Sequence, residues 1–326
     1  MDTDSPPDTK SKVALVSGAT GFIGSHLVHQ LYENGYDVVV LSRQPYSSQP
    51  AFQVNENNWM QGNLNDPEAL LAACQRADIV FHIAGLAHSN SVDRNEVFSV
   101  NLHGTKNIYS ASAAAGVKKF IFFSSILAST PSVSAYAESK RAAEEFLLAA
   151  SSERRKPEII ILRPPNVYGP GMRGNLRTFI QLTRKKYIPS LPKLENPIPL
   201  VSVYDICLAA IFSAQGHLSV THGKIYEVTD GECYTPSRIE SAVYECVERN
   251  APRWRVPRVF LFIAAVVAQF VSVTRLKPNQ MGLRLYRNLV GVERAPHEEL
   301  ISRLKLTPTA TLESEMQSII KSFDAE

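Results

Sequence analysis

Short apolar runs alternate with stretches of helical periodicity over the first half of the chain. A parallel sheet that is buried on both faces has this order, because a helix carries the chain back between neighbouring strands. We therefore predict a doubly wound α/β fold. The predicted strands are VALVS, DVVVL, DIVFHI, KKFIFF and EIIIL, and the predicted helices between them cover 22–34, 67–76, 95–115 and 135–150.

Three glycines stand at the junction of the first predicted strand and the first predicted helix. Gly18, Gly21 and Gly24 are three residues apart in VSGATGFIG. Glycine permits a sharp turn, a close approach of phosphate to the backbone and close packing of the helix, whose N-terminus favours an anion. The spacing is GxxGxxG and not the commoner GxGxxG, and a tight turn without a ligand is the alternative. With the strand before it and the helix after it, the motif predicts a Rossmann-type dinucleotide site.

The end of the second predicted strand bears on which dinucleotide binds. An acidic residue there would bind the ribose 2′-hydroxyl of NAD, but DVVVLSR ends with Ser42 and Arg43. A guanidinium pairs with a 2′-phosphate, so Arg43 favours NADP(H), with NAD as the second candidate. A solvated loop arginine is the alternative interpretation. Asn63 stands where a carboxylate commonly holds the adenine amino group, and its amide oxygen can accept the same hydrogen bond.

The alternation of strands and helices weakens after Leu162. The loop-rich stretches PPNVYGPGMRG and KKYIPSLPKLENPIPL follow, and one clear strand, KIYEVT, comes later. We predict a flexible arm at 1–11 and a nucleotide-binding domain at 12–163. The remainder, 164–326, is predicted to be mainly a substrate-binding lobe, with segments that cross back to extend the sheet.

Candidate chemistry lies in the fourth predicted helix, where YAESK places Tyr136 and Lys140 one turn apart on one face. A phenol with its ordinary pKa of about 10 exchanges protons poorly at neutral pH, and a neighbouring ammonium is expected to lower that pKa. Tyr136 is the candidate general acid or base, and Lys140 would also hold the nicotinamide ribose. Upstream, FFSSI ends a strand with two hydroxyls, of which Ser125 is the candidate to bind the reacting oxygen. Tyrosine and lysine at this spacing are common by chance, and the motif gains weight from the glycines and the serines.

Composition and charge exclude several classes of function. The 34 basic and 31 acidic side chains are spread along the chain, without the basic tract typical of nucleic-acid binding. The cysteines lack the close spacing of a disulfide framework or a zinc site, and no metal is expected. With no apolar block in the first dozen residues, a cytoplasmic location is expected. The cysteines are Cys74, Cys207, Cys233 and Cys246.

One apolar segment, 256–274, stands out. Its uncharged stretch between Arg258 and Arg275 is shorter than the roughly 20 residues of a membrane-spanning helix. We predict a buried helix or a subunit contact. Because the segment is apolar on most sides, a helix that lies on a membrane surface is the alternative.

GATGFIG, FFSSI, YAESK and LRPPNVYGPG together resemble the extended short-chain dehydrogenases/reductases of the NAD-dependent epimerase/dehydratase type, over roughly 12–315. IAGLAH, RGN and VSVYD are most similar to members that reduce or epimerise carbon four of UDP-N-acetyl-hexosamines, above all 4-keto reductases of the UDP-N-acetylquinovosamine type. The resemblance implies Ser125, Tyr136 and Lys140 as the catalytic trio. Related folds often pair through helices that correspond to 95–115 and 135–150, so a homodimer is expected.

The resemblance also implies contacts for the two ligands. The IAGLA loop would run beside the cofactor, and Asn166 would help to seat the pyrophosphate of a sugar nucleotide. The expected cofactor contacts are Gly18, Thr20, Gly21, Phe22, Ile23, Gly24, Arg43, Asn63, Leu64, Ala84, Gly85, Leu86, Tyr136, Lys140 and Pro164. The expected substrate contacts are His88, Ser125, Asn166, Arg173 and Asn175.

Three departures from the family pattern leave the substrate open. The gap between Ser125 and Tyr136 is short, so a loop that usually covers the sugar is reduced. Ile198 replaces an arginine usually aimed at the nucleotide phosphates, with Arg173, Arg177 and Lys193 as candidate replacements. The apolar 256–274 segment is similar to relatives that act on sterols or lipid-like ketones.

These observations favour an NADP(H)-dependent 4-keto reductase that acts on a nucleotide sugar. An epimerase returns the hydride to the same substrate and keeps its NAD, whereas a reductase exchanges NADPH each turnover, so Arg43 favours reduction. A nucleotide-sugar 4-epimerase, a lipid or steroid ketone reductase and a non-catalytic cofactor-binding protein are the alternatives.

Four further polar residues have open roles. His82 and His88 lie at and after the end of the predicted strand DIVFHI, where packing or hydrogen bonding is the commoner role of a histidine. Asn101 is expected to brace the helix backbone near the site. Arg163, at the end of EIIILR, is either an ion-pair residue at the core edge or a cofactor contact.

Overall fold

A computed structural model describes residues 11–48, 54–86, 93–129, 134–151, 157–185, 192–194, 196–216, 224–252, 255–257, 259–260, 263 and 307–324. Nine strands occur in these ranges. They are β1 Val13–Ser17, β2 Asp37–Ser42, β3 Trp59–Gln61, β4 Ile79–His82, β5 Lys119–Phe123, β6 Glu158–Arg163, β7 Asn166–Tyr168, β8 Leu200–Ser202 and β9 Lys224–Glu227.

Seven of these strands form one parallel sheet in the order β3-β2-β1-β4-β5-β6-β9. The predicted doubly wound α/β fold is confirmed. The strand order reverses between β1 and β4, and ligands of such sheets bind beside the carboxyl ends of the strands at this reversal. The C-terminal half supplies β9, which pairs with β6 and thereby extends the sheet. The division of the chain into domains stays a prediction.

The described α-helices flank this sheet or build the lobe beside it. They are α1 Phe22–Glu33, α2 Pro67–Cys74, α3 Arg94–Phe98, α4 Gly104–Ala115, α5 Ala135–Ala150, α6 Asn175–Arg184, α7 Val203–Gln215, α8 Pro236–Cys246 and α9 Leu312–Asp324. The single helix predicted over 95–115 is interrupted. A π-helical turn at Ser99–His103 joins α3 to α4.

Two apolar layers cover the two faces of the sheet. Leu27 of α1 and Ile206 of α7 pack in the layer on one face. Leu70 of α2, Ile108 of α4 and Leu147 of α5 pack in the layer on the other face. Burial on both faces explains why the strands read as nearly continuous apolar runs.

The smaller lobe has its own core and a two-stranded parallel sheet of β7 and β8. Ile180 of α6, Val243 of α8 and Met316 of α9 meet in this core. Asp230 accepts hydrogen bonds from the hydroxyls of Tyr168 at 3.0 Å and Tyr234 at 2.9 Å. The Tyr234 hydroxyl also accepts from the amide of Leu312, which fixes the start of α9 on the lobe.

Several predictions fall outside the described residues. They concern His88, residues 1–10 of the predicted arm and most of 256–274, in which only Val256, Pro257, Val259, Phe260 and Ile263 are described. Within the described ranges, no helix combines the length and the apolar character needed to cross a membrane.

Candidate active site

The glycine-rich turn joins β1 to α1 and needs glycine for two separate reasons. Gly18 has φ +79°, in the left-handed region, and a Cβ there would lie 2.6 Å from the Ala84 amide nitrogen. A Cβ on Gly24 would lie 2.1 Å from the Gly18 carbonyl oxygen. The turn, the first helix and the loop after β4 therefore approach each other too closely for any side chain.

The N-terminus of α1 is suited to an anion. Gly21 caps the helix without a side-chain hydrogen bond, and the first turn of α1 contains no acidic residue. Backbone N–H groups at such a terminus attract phosphate, and the glycine turn leaves them uncovered. Thr20 is exposed at this turn, whereas Phe22 and Ile23 are half-buried.

The loop after β4 runs beside the glycine turn. The amides of Ile83 and Ala84 both donate to the Ser17 carbonyl oxygen at 3.1 Å. A Cβ on Gly85 would lie 3.1 Å from Asn101 Oδ1 and 3.3 Å from Lys140 Nζ. Gly18 and Gly85 thus keep side chains out of the space between these loops at the strand-order reversal, which is where sheets of this order bind dinucleotides.

Ser125 and Tyr136 meet across the carboxyl end of β5. Ser125 accepts from the Leu127 amide at 3.3 Å and starts a short 3₁₀ turn. Tyr136 lies in the first turn of α5, which Ser134 caps by accepting from the Ala137 amide at 3.2 Å. The side chain of Ser125 hydrogen-bonds the Tyr136 side chain, so the predicted pair is brought together.

The expected lowering of the Tyr136 pKa by Lys140 is wrong in this structure. Burial raises the pKa of Tyr136, and the hydrogen bond with Ser125 only partly opposes that effect. Lys140 Nζ is directed elsewhere, since it donates to the Phe123 carbonyl oxygen at 2.7 Å and lies 4.6 Å from the centre of the Phe122 ring. Tyr136 is therefore protonated at neutral pH and fit to act as a proton donor.

Burial also acts on Lys140 itself. Desolvation lowers its pKa to about 8, and the negative charge of Glu144 opposes the decrease. Glu144 is one turn farther along α5 and accepts hydrogen bonds from Ser124 and from Arg163, which contacts it at 2.9 and 2.5 Å. Arg163 also lies 3.8 Å from Glu227 of β9. Of the two roles open for Arg163, the structure shows the ion pair at the core edge.

Asn101 lies in the π-helical turn and braces the loop after β4. Its Oδ1 accepts from the Leu86 amide at 2.8 Å, and its Nδ2 donates to the Leu86 carbonyl at 3.3 Å and to Ser139 Oγ at 3.0 Å. Ser139 in turn donates to the Tyr136 carbonyl oxygen at 2.8 Å. The Asn101 side chain thus braces the backbone of the loop after β4 and not helix backbone as expected. π-Helical turns are often found at functional sites.

The residues predicted to contact the adenosine half of the cofactor lie at the other end of the crevice. Arg43 is exposed just after β2, and its side chain makes no hydrogen bond or ion pair with the described residues. Ser42 is buried and accepts from the Gln44 amide at 3.1 Å. Asn63 is exposed, with Oδ1 accepting from the Asn65 amide at 2.7 Å. The carbonyl of Leu64 accepts from Asn107 at 2.8 Å.

The residues predicted to contact substrate lie where the lobe begins. The Pro164 carbonyl accepts from the Ile126 amide at 3.0 Å, so the chain leaves β6 next to Ser125. Asn166 follows on β7 and is exposed. Arg173 and Asn175 are exposed at the start of α6.

Apolar side chains mark two positions in the lobe. Ile198 forms a backbone bridge with Tyr234, its amide donating to the Tyr234 carbonyl at 2.8 Å. Val259, Phe260 and Ile263 are 65%, 61% and 48% exposed. Arg177, a candidate replacement for the missing arginine, stacks on the ring of Phe323 at 5.0 Å.

Two residues that support the site, Glu144 and Thr105, are not among those predicted from the sequence. Glu144 repeats the helical spacing that relates Tyr136 to Lys140, so the i+4 rule identifies its position but not its partner Arg163. Thr105, which connects Asn101 to His82, carries no local signal, because its role depends on a strand that is distant in sequence.

Comparison with known proteins gives a consistent family. The profile described as the NAD dependent epimerase/dehydratase family matches residues 14–229. A ceramide reductase of Caulobacter vibrioides is 36% identical over 59% of this chain and 58% of its own length. A dTDP-D-glucose 4,6-dehydratase of Mus musculus is 33% identical over 51% of this chain and 53% of its own length. The chain thus spans a little over half the length of these relatives.

Solved structures share the fold. The crystal structure of a UDP-glucose 4-epimerase of Thermotoga maritima with UDP-glucose has a TM-score of 0.70 at 20% identity. It covers 96% of this chain and 99% of its own. At this identity the similarity establishes the fold but not the reaction, which must be inferred from the residues of the site.

Proposed function

Because the chain belongs to the NAD dependent epimerase/dehydratase family, we propose that it is a nicotinamide-dependent oxidoreductase that reduces a ketone to a secondary alcohol. Its proposed substrate is a nucleotide-activated sugar with a keto group at carbon four. The contact that carries the proposal is the hydrogen bond between Ser125 and Tyr136, one helical turn from Lys140.

The glycine turn and Gly85 would hold the cofactor. Gly18, Gly21 and Gly24 leave the N-terminus of α1 open to the pyrophosphate, and Gly85 leaves the space beside Lys140 free of a side chain. When bound, the nicotinamide supplies the hydride. Arg43, exposed at the end of β2, is the proposed partner of a 2′-phosphate.

The protein's own residues supply the proton and orient the ketone. Ser125 donates to the ketone oxygen and polarises it, while Tyr136, whose pKa burial raises, delivers the proton as the oxygen becomes an alkoxide. Lys140 is fixed by the Phe123 carbonyl one helical turn from Tyr136, and its proposed role is to hold the nicotinamide ribose with its ammonium group. The neighbouring Asn101 holds the Leu86 loop in place.

A lipid-like ketone is the second candidate substrate. Ile198 stands where an arginine would bind nucleotide phosphates, and Val259, Phe260 and Ile263 expose apolar side chains. A relative that is 36% identical is a ceramide reductase. These observations favour a long-chain ketone over a sugar nucleotide if the phosphate contacts prove to be missing.

A substrate comparison tests the two candidates. The purified full chain is mixed with NADPH and, separately, a UDP-4-keto-hexosamine and a 3-keto ceramide dispersed in detergent, and cofactor oxidation is followed. Turnover of the sugar nucleotide, with protection by UDP in a thermal shift, supports the first proposal. Turnover of the lipid ketone alone, without protection by UDP, contradicts it and supports the second.

Cofactor choice is tested on the same preparation. If Arg43 binds the 2′-phosphate, NADPH binds more tightly than NADH, and Arg43→Ala weakens NADPH by roughly tenfold or more because a charge-assisted hydrogen bond is lost. The affinity for NADH is the internal control and stays unchanged. Stoichiometric NAD that co-purifies with the wild-type protein would contradict the reductase and favour an epimerase.

A further inference from the structure

His82 is a fully buried titratable side chain that the proposed chemistry does not use. It ends β4, next to the loop that contains Gly85, and both ring nitrogens are hydrogen-bonded. Nδ1 lies 2.7 Å from Ser17 Oγ, and Nε2 lies 2.9 Å from Thr105 Oγ1. Ser17 is the residue before Gly18, and Thr105 is in the first turn of α4.

Counting protons along these contacts fixes the tautomer. Thr105 has one hydroxyl proton, which it donates to the Asn101 carbonyl oxygen at 2.7 Å. Thr105 must therefore accept from His82, which places a proton on Nε2. Nδ1 is then the acceptor, and Ser17 donates to it.

The chain of hydrogen bonds continues to the proposed proton donor. Thr105 holds the backbone of Asn101, whose side chain binds both polar backbone atoms of Leu86 and the hydroxyl of Ser139. Ser139 donates to the Tyr136 carbonyl oxygen. One continuous series of bonds thus joins the end of β1 to the first turn of α5.

The surroundings of His82 keep the ring neutral. Its ring stacks on that of Phe122 with centroids 5.7 Å apart, and the Lys140 ammonium lies 4.6 Å from the Phe122 centroid. Burial and the positive charge of Lys140 lower the pKa of His82 to about 3. A charged ring would repel Lys140, and its Nδ1 would become a donor, so Ser17 would have to accept instead of donate.

We infer that His82, as the neutral Nε2–H tautomer, is a positioning residue that ties the glycine turn to the Leu86 loop and to the Tyr136 helix through Thr105 and Asn101. This inference rests on the proposed function, because the alignment matters only if Tyr136 and the cofactor must meet. Its physical basis is that small misplacements of reacting groups cost large factors in rate.

Thr105→Val tests the inference, with Thr183→Val as the matched control. Both threonines are buried in helices and donate to the carbonyl four residues earlier, but only Thr105 also contacts a histidine. Thr105→Val leaves the Nε2 proton of His82 without its acceptor. Hydrogen exchange at 84–86 and 136–139 is expected to accelerate in Thr105→Val only. The kcat is expected to fall roughly tenfold or more, with the substrate KM little changed.

Equal exchange in these segments for the two variants would overturn the inference, and so would equal kcat values. The exchange measurement needs no substrate, so it decides the matter even if the proposed function fails. If Thr105→Val does not fold, Ser17→Ala breaks the chain at its other end and is expected to accelerate exchange at 84–86.

The protonation of the ring is measured directly by nitrogen NMR of histidine-labelled full-length protein. His82 is expected to show a protonated Nε2 and an unprotonated Nδ1 from pH 5 to 8. A proton on Nδ1, or a transition to the doubly protonated ring within that range, would overturn the assignment.

Discussion

Two opposing effects act on the ammonium group of Lys140. Desolvation lowers its pKa to about 8, and the carboxylate of Glu144 opposes the decrease. Arg163 forms two hydrogen bonds to the carboxylate of Glu144. At neutral pH the lysine is charged, but its pKa lies only slightly above that pH. Glu144, which does not contact the reacting groups, helps to keep the pKa there.

The pKa of Lys140 predicts an upper pH limit for the reaction. Above about pH 8 Lys140 loses its proton, so kcat in the direction of ketone reduction is expected to fall. Glu144→Gln removes the charge that raises the Lys140 pKa and shifts this limit to lower pH. The adjacent, exposed Glu145 supplies the control, Glu145→Gln, whose pH profile is expected to match the wild type.

Glu144→Gln also leaves Arg163 short of a partner and lowers the free energy of unfolding by roughly 3–5 kcal/mol. The profile is therefore recorded at a temperature where circular dichroism shows the variant to be folded. If the pH limit of kcat is unshifted in the folded variant, Glu144 does not influence the protonation of Lys140.

The sequence predicts the position of Tyr136 but not the direction of its pKa shift. Helical spacing places Tyr136 and Lys140 on one face, and both lie there. The pKa of the phenol depends on burial and on where the ammonium points, and the Phe123 carbonyl that holds Lys140 comes from a different strand. Such effects arise only when distant segments meet.

At the scale of elements, the turn from β1 to α1 needs a positive φ at Gly18 and also brings this residue very close to the loop after β4. Gly18 needs a positive φ and lies against Ala84, whereas Gly35 also has a positive φ, +78°, with no atom within 4 Å of an added Cβ. The two positions thus form a natural pair in which only the close approach differs.

Gly18→Ala and Gly35→Ala are expected to differ in the free energy of unfolding. Each substitution lowers the free energy of unfolding by about 1–2 kcal/mol, because alanine is strained in the left-handed conformation. Gly18→Ala lowers it further, because its Cβ would lie 2.6 Å from the Ala84 amide nitrogen and the loop after β4 would have to move. Urea unfolding measures the difference, and titration with the cofactor is expected to show weakened binding for Gly18→Ala alone. Equal stability of the two variants would contradict this account of the turn.

The helix predicted over 95–115 shows where local patterns stop being informative. Its ends are close to the observed ones, but the π-helical turn at Ser99–His103 inserts an extra residue per turn that apolar periodicity does not reveal. The turn directs Asn101 toward the Leu86 loop. A contact outside the helix therefore explains the interruption.

At the scale of the whole molecule, the crevice depends on the strand-order reversal between β1 and β4. The alternation of strands and helices predicts the parallel sheet, and KIYEVT correctly indicates the late strand β9. Its pairing with β6 depends on chain segments that are more than fifty residues apart, for which the sequence has no local signal. The substrate contacts remain predictions for the same reason, since Asn166 and Arg173 are placed by the lobe.

The burial of a neutral His82 makes the protein less stable in acid. Its folded pKa is about 3 against 6.5 in the unfolded chain, so the unfolded state binds an extra proton between these values. The free energy of unfolding therefore falls as pH decreases through this window, by up to about 1.4 kcal/mol per pH unit from this residue. The contribution is fully present above pH 6.5.

His82→Gln removes this dependence, because glutamine does not titrate. Asp205 and Asp230 have raised pKa values from burial and act in the opposite direction, but they are common to both proteins. As pH falls from 6.5, the wild type is expected to lose stability relative to the variant in urea unfolding. A difference that is independent of pH would contradict a buried neutral histidine.

The central claim is that the Tyr136 hydroxyl, hydrogen-bonded to Ser125, delivers the proton that accompanies hydride transfer. The most direct test is kcat for Tyr136→Phe with whichever ketone the wild type reduces, measured beside the affinity for the nicotinamide cofactor. The account predicts that kcat falls by roughly 10²–10⁴-fold, a far larger change than that in cofactor affinity. Wild-type turnover by Tyr136→Phe would contradict it.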